Sequence, residues 1–244
     1  MKVTVVGYWG GYPGKDGATS SYLIETDDFS LLIDVGSGAL SKLQLFKDID
    51  EIDAVIISHY HHDHIADLGV LQYAKRVHYY VTGQKSTLPI YGHTEDKEFF
   101  QRLTSECTKG IGYEENEVLR IGPFTITLLR TKHPVICYGM RITDGKCTIV
   151  YTADTAFQEQ WIPFSKHADL LITDCNFFAD QNAAQAGHMT SKEGAIIANS
   201  AQVKALLLSH LPQKGNLEQL KDEAKQIFHG TIHLAKTGFV WTKE

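Results

Sequence analysis

The chain lacks any run of about twenty consecutive apolar residues, the length needed to span a bilayer. Its amino-terminal stretch Met1-Lys2-Val3-Thr4-Val5-Val6 is a strand pattern too short for the apolar region of a secretion signal. Cysteine is scarce: Cys107, Cys137, Cys147 and Cys175 lie far apart with no C-x-x-C pair, which fits reduced thiols rather than a disulfide frame or a zinc ribbon. The expectation is a soluble, cytoplasmic protein. An excess of positive charge is also missing. The formal net charge is −6, so no overall field attracts a polyanion. The short basic clusters Lys75-Arg76 and Arg130-Thr131-Lys132 read as solvated faces. There is no internal repeat, low-complexity tract or Pro/Ser linker. At 244 residues, 43% hydrophobic and 21% charged, the chain is expected to form one domain spanning residues 1–244.

What the chain does have is His59-Tyr60-His61-His62-Asp63-His64, an H-x-H-x-D-H stretch. It places imidazoles and a carboxylate of metal-ligand type within six residues. The apolar run Ile52-Asp53-Ala54-Val55-Ile56-Ile57 before it reads as a buried strand, so the first ligands lie in the loop at that strand's carboxyl end. Such loops are where sites collect in layered α/β folds. Ile65, Leu68, Leu71 and Gln72 follow at helical spacing, and Asp63 is placed to cap that helix while offering its carboxylate to a cation. The plain alternative is a solvated, His-rich surface loop.

The coarse pattern is two halves, each passing from strands to helices. In the first, strands are expected at residues 3–7, 20–26 and 30–34, a helix at 39–46, short strands at 78–82 and 88–91, and a helix at 95–105. In the second, strands are expected at 117–121, 124–130, 138–143 and 148–152, and a helix follows at 158–165. A strand at 169–174, a helix at 191–199, a strand at 205–208, a helix at 217–228 and a strand at 231–234 end the series. Strand clusters alternating with outer helices imply an α/β protein, with two mixed sheets between helical layers in an αβ/βα sandwich of four layers.

Further candidate ligands recur at strand ends: His133 after Thr125 to Arg130, Asp154 after Ile149 to Thr152, and His210 after Leu206 to Ser209. Each alone reads equally as a turn residue or a core histidine. Taken in order, H-x-H-x-D-H, His133, Tyr151-Thr152-Ala153-Asp154-Thr155 and Leu208-Ser209-His210 resemble the ligand motifs of the metallo-β-lactamase superfamily over nearly the whole chain. The resemblance implies that His59, His61 and His133 hold one divalent metal ion, that Asp63, His64 and His210 hold a second, and that Asp154 bridges them. It also implies a metal-bridging hydroxide oriented by Asp63. An aspartate stands at the bridging position where lactam-hydrolysing members have cysteine, so antibiotic hydrolysis is not expected. The all-nitrogen and oxygen donor set favours zinc and admits manganese or iron.

The segment Asp174-Cys175-Asn176-Phe177 through Gly187-His188-Met189-Thr190 resembles the G-H-x-T region of the RNase Z group, the tRNA 3′-processing endonucleases. There it implies that His188, paired with Asp174, is the general acid that protonates the leaving oxygen. As an alternative, His188 merely precedes the helix that Thr190 or Ser191 caps. The interval from His133 to Asp154 leaves room for little more than a hairpin, not the long tRNA-gripping arm of bacterial RNase Z proteins. A small phosphodiester or an RNA end is therefore the expected substrate, with no membrane partner and a possible homodimer. The function so read is a binuclear metal-dependent phosphodiesterase or ribonuclease. The alternatives are a thioesterase or lactonase on the same metals, or a metal-stabilised binding protein without turnover.

The Gly-rich stretch Gly7 to Gly17 is not a P-loop, since no G-K-[ST] follows. Its backbone N–H groups could contact a phosphate, or its glycines could simply turn the chain. Tyr8, Trp9 and Tyr12 could stack a nucleobase or pack at the rim.

Overall fold

A computed structural model describes residues 1–243, which divide into two compact units. In the first, strands β1 (Lys2–Gly7), β2 (Ser21–Thr26) and β3 (Phe29–Ile33) form an antiparallel meander. Helix α1 (Ala39–Leu43) follows, and β4 (Ala54–Ile56) pairs parallel to β3. Helices α2 (His62–Ile65) and α3 (Leu68–Thr82) come next, then β5 (Leu88–His93), α4 (Lys97–Arg102) and β6 (Thr108–Tyr113), with β4, β5 and β6 parallel to one another.

The second unit opens with β7 (Val118–Ile121), β8 (Phe124–Arg130), β9 (Tyr138–Thr143) and β10 (Thr148–Tyr151), each antiparallel to the one before it. Helix α5 (Trp161–Phe164) leads to β11 (Leu170–Asp174), α6 (Ser191–Ser200), β12 (Ala205–Ser209), α7 (Leu217–Lys225) and β13 (Thr231–Leu234), with β10 to β13 parallel. A last strand, β14 (Val240–Thr242), returns to the first sheet against β1.

Each unit thus carries one mixed sheet of seven strands, ordered β14-β1-β2-β3-β4-β5-β6 and β13-β12-β11-β10-β9-β8-β7. Helices flank these sheets, as the strand and helix clusters imply. The parallel strands β4, β11 and β12 are buried at every residue, because a strand covered on both faces is apolar without alternation. In the first unit Leu23, Leu32, Val55, Ile57, Leu71, Ile90 and Leu103 belong to one buried core, to which β3 contributes Leu32 and β4 contributes Val55.

Two expectations are corrected, and two strands were not foreseen. Residues 78–82 are the last turn of α3, not a strand; Tyr79, Tyr80 and Val81 favour strands intrinsically, but the helix begun at Leu68 runs through them. Strands β6 and β14 escape the sequence pattern altogether. Asp63 does not cap the helix that follows the motif: α2 begins at His62, His61 occupies the N-cap position, and Asp63 lies inside the first turn, where a carboxylate still faces the positive end of the helix. No helix among the described residues is long and apolar enough to cross a membrane. All four cysteines are buried, and none is in a disulfide among the described residues.

Candidate metal centre

In the first unit the candidate ligands leave the buried end of β4. His59 and His64 are fully buried, and Asp63 is 8% exposed. His59 Nε2 lies 3.2 Å from His61 Nδ1, and His64 Nε2 lies 3.7 Å from Asp63 Oδ2. Two ligands each about 2.1 Å from one tetrahedral ion sit roughly 3.4 Å apart, so both pairs have a spacing that fits ligation.

Behind them lies a residue that the strand pattern did not single out. Asp34, fully buried at the end of β3, accepts hydrogen bonds from Ser58 N at 2.7 Å, Ser58 Oγ at 2.8 Å and His64 Nδ1 at 2.7 Å. Ser58 Oγ is in turn 3.1 Å from His59 Nδ1. With its hydroxyl hydrogen given to Asp34, it accepts from the His59 ring. Both histidines are thereby held with Nδ1 protonated and Nε2 available as a donor to a cation, the arrangement by which outer carboxylates orient metal-binding histidines.

The Gly-rich loop also serves this cluster. Gly11 N donates to Asp63 Oδ2 at 2.7 Å, and it does so from a left-handed conformation with φ +71°, which glycine adopts without strain. The loop's backbone N–H therefore holds a carboxylate in this structure. Tyr8 packs on Trp9 with ring centroids 4.7 Å apart, Trp9 lies against Gly14 and Gly17, and Tyr12 is exposed.

In the second unit, Asp154 directs its two oxygens to two different rings: Oδ2 lies 3.8 Å from His133 Nε2 and Oδ1 lies 3.3 Å from His210 Nε2. His133 follows β8, Asp154 follows β10 and His210 follows β12, so three strand ends deliver them. His133 Nδ1 donates to the Gly187 carbonyl at 3.0 Å, leaving Nε2 toward Asp154. Burial lowers the His133 pKa despite the neighbouring carboxylate of Asp154, which favours the neutral, ligating ring.

Asp174 and His188 also meet here. His188 Nδ1 donates to Asp174 Oδ2 at 2.8 Å, and Asp174 Oδ1 is 3.7 Å from His210 Nδ1. The His188 ring stacks on that of His210 with centroids 5.1 Å apart. Burial disfavours the charged imidazole of His188, but the charge and hydrogen bond of Asp174 outweigh it and raise its pKa. Burial likewise works against the Asp174 carboxylate, and the two histidines hold its pKa below the usual value nonetheless. Thr190 caps α6 through a reciprocal pair with Glu193, so His188 is not needed as a cap. Asp154, Asp174, His188 and His210 each offer an atom within 4.8 Å of the others. Cys175, beside them in sequence, is a buried thiol whose pKa is pushed well up by burial, so no thiolate enters the donor set.

Backbone strain collects at the same strand ends. Asp34, Ala153 and His210 have φ of +57°, +52° and +52°, a conformation that costs a non-glycine residue roughly 1–2 kcal/mol. It turns the chain sharply out of the sheet where site residues begin.

Residues 30–211 match the family described as Beta-lactamase superfamily domain. The chain belongs to the β-lactamase superfamily. This superfamily member is 55% identical over 242 residues to the protein named Probable metallo-hydrolase YhfI of Bacillus subtilis, covering 99% of each chain. The crystal structure of that metallo-β-lactamase fold protein superposes with a TM-score of 0.95 at 54% identity over 98% of both chains. The fold is therefore the metallo-β-lactamase fold, and the chain is of the metallo-hydrolase family. Ribonuclease Z of Sulfolobus acidocaldarius is 26% identical, covering 95% of each chain. The short form of human tRNase Z shares the fold, with a TM-score of 0.78 at 20% identity over 99% of both chains. Between His133 and Asp154 this superfamily member has only the antiparallel pair β9 and β10.

Proposed function

We propose that the protein is a metal-dependent phosphodiesterase of the RNase Z-like type, acting on a small phosphodiester or an RNA end. In this reading residues 1–244 work as one catalytic domain that holds two divalent ions, zinc by preference. His59, His61 and His133 ligate one ion; Asp63, His64 and His210 ligate the other; Asp154 is shared. The imidazole and carboxylate donors fit such ions, and the two diverging oxygens of Asp154 suit a bridging ligand. When bound, the ions supply an activated water at neutral pH and neutralise charge on the substrate.

The observation that carries the phosphodiesterase reading is the His188–Asp174 pair. An imidazolium held by a carboxylate through Nδ1 presents its Nε2 proton, which is what departure of an alkoxide from phosphorus requires. Asp34 and Ser58 fix the rings of His64 and His59, and Gly11 N fixes Asp63, so that Asp63 can orient the water. The short β9–β10 hairpin, together with the net charge of −6, favours a small diester over a folded tRNA. Buried cysteines outside any disulfide suit a cytoplasmic protein.

The test is hydrolysis of bis(p-nitrophenyl) phosphate by the protein loaded with zinc or manganese, with a p-nitrophenyl ester and a thioester alongside. Metal-dependent cleavage of the diester is expected. Cleavage of the carboxyl substrates alone would replace this reading with a thioesterase or lactonase.

A further inference from the structure

His188 stands on neither a strand nor a helix. It belongs to the connection between β11, which ends at Asp174, and α6, which begins at Ser191. Within this connection residues 177–190 form a loop whose ends meet: Phe177 and Thr190 share a β-bridge, and Ser191 N donates to the Phe177 carbonyl at 3.2 Å. Its own side chains fill it, with Phe178, Ala183 and Met189 buried. A compact loop with closed ends is displaced as a unit, so a residue carried on it is placed only as well as the loop is held.

The loop is tied at two places. Toward the candidate ligands, Gly187 offers its carbonyl to His133 Nδ1, and His188 Nδ1 donates to Asp174. At the base, Glu223 of α7 holds both ends through one atom: its Oε2 accepts from Ala179 N at 3.0 Å and from the hydroxyl of Ser191, a fully buried residue. Gln219 Nε2 donates to the other oxygen, Oε1, at 2.8 Å, which fixes the rotation of the carboxylate. The two loop donors lie 44 and 32 residues before Glu223, so the contact couples α7 to the loop over a long stretch of chain. Phe178 adds an apolar tie, its ring so close to Gly215 that a Cβ there would stand 2.6 Å from it.

We infer that Glu223 is a positioning residue for His188: its carboxylate clasps the base of the 177–190 loop and so sets where the His188 Nε2 proton stands. The inference rests on the phosphodiesterase reading above. Hydrogen bonds to an ionised acceptor are about twice as strong as neutral ones, which suits a clasp that must hold two donors at once. Without it the His188 ring keeps its bond to Asp174, but the loop beneath the ring can shift, and a misplacement near 1 Å costs about 10²-fold where geometry is critical. That cost is selective. A positioned proton donor matters most when the leaving oxygen is basic and least when it departs readily as an anion. The loss should therefore follow the basicity of the leaving group, which a general loss of stability or of metal would not do.

The experiment compares kcat and KM of the zinc-loaded full chain on diphenyl phosphate and on bis(p-nitrophenyl) phosphate, whose leaving groups are a basic and a weakly basic phenolate. Glu223→Ala should lower kcat on diphenyl phosphate by about 10–100-fold, with KM and metal content per chain unchanged. On bis(p-nitrophenyl) phosphate the same variant should lose less than about 3-fold. Glu223→Gln keeps an oxygen for both donors and should stay within about 3-fold of the wild type on both diesters. Asp222→Ala, at an exposed neighbour on α7, should match the wild type. Hydrogen exchange on the same proteins reads the clasp without turnover: in Glu223→Ala the peptide covering residues 177–190 should exchange at least about 10-fold faster, with β12 as before. Equal losses on the two diesters, a loss that Glu223→Gln shares in full, or unchanged rates throughout would overturn the proposal. A wild type that cleaves neither diester would overturn the phosphodiesterase reading, and exchange then decides the clasp. Unchanged exchange in Glu223→Ala overturns it in either case.

Discussion

Asp34 lies 30 residues before His64 in the chain, yet its Oδ2 accepts the Nδ1 hydrogen of that ring at 2.7 Å. The same carboxylate holds Ser58 through both its backbone N and its hydroxyl, and through Ser58 it reaches His59. One buried side chain therefore stands behind two candidate ligands assigned to different ions. Asp34→Asn should weaken metal affinity about 10–100-fold, measured by competition with a chelating dye. Asp34→Ala should in addition lower stability by about 1–3 kcal/mol, because it leaves the Ser58 N–H buried without an acceptor; chemical denaturation reads that loss. Unchanged metal affinity in both variants would remove the orienting role.

His188→Ala should lower turnover of a diester by about 10²–10⁴-fold while leaving the metal content per chain as it was. The cap made by Thr190 and Glu193 stays in place, so α6 should be unaffected. Elemental analysis beside the rate measurement separates the two outcomes: a fall in metal content would make His188 a ligand rather than a proton donor.

The two glycines of α3 should respond to alanine in opposite senses. Gly69 lies inside the helix and a Cβ there meets nothing within 4 Å, so Gly69→Ala should stabilise by about 0.5–1 kcal/mol. Gly83 ends the helix at φ +73°, also with open space around it, so Gly83→Ala should cost roughly 1–2 kcal/mol from backbone strain alone. Thermal melts of the two variants decide it, and a shared sign would show that something other than backbone conformation governs the pair.

Glu25 provides a pH-dependent contribution. Burial raises its pKa, but hydrogen bonds and charge from Lys2 and Lys47 outweigh this and hold it below 4.5. A depressed carboxylate stabilises the fold above its ordinary pKa, and the contribution fades as pH falls through the lower value of the folded state. Lys2 is 45% exposed, so the worth at neutral pH is under about 1 kcal/mol. Glu25→Gln should lower the melting temperature slightly at pH 7 and leave it equal to wild type near pH 2; a difference that persists in acid would show that the effect is not ionic.

The fold class and the strand ends that carry the candidate ligands were legible in the sequence, while several individual elements and contacts were not. His133, Asp154 and His210 each follow a short apolar run, and runs of that kind are what bury a strand and bring its end to a rim. Asp34 follows Leu31-Leu32-Ile33 in the same way, so that rule could have raised it. Its importance rests on Ser58 and His64, and no local pattern carries such contacts. Strand β6 was hidden because Thr108-Lys109-Gly110-Ile111-Gly112-Tyr113 neither alternates nor stays apolar. It is held by parallel pairing with β5 and by Tyr113 OH donating to the Ile57 carbonyl at 2.6 Å, both long-range. The segment at residues 78–82 misled for the opposite reason: its β-branched and aromatic residues point to a strand, and their exposed positions on α3 become meaningful only once the helix is seen.

The left-handed residues that end the strands limit how far this protein can be hardened against heat. Glycine at Asp34 or His210 would relax the backbone, yet each side chain sits in the network around the candidate metals, so a gain in melting temperature there comes with a loss of the constellation itself. Ala153 alone carries the same backbone twist without a polar group to forfeit. Among the three, it is the position where a search for thermostable variants can succeed, and glycine is the substitution such a search should return.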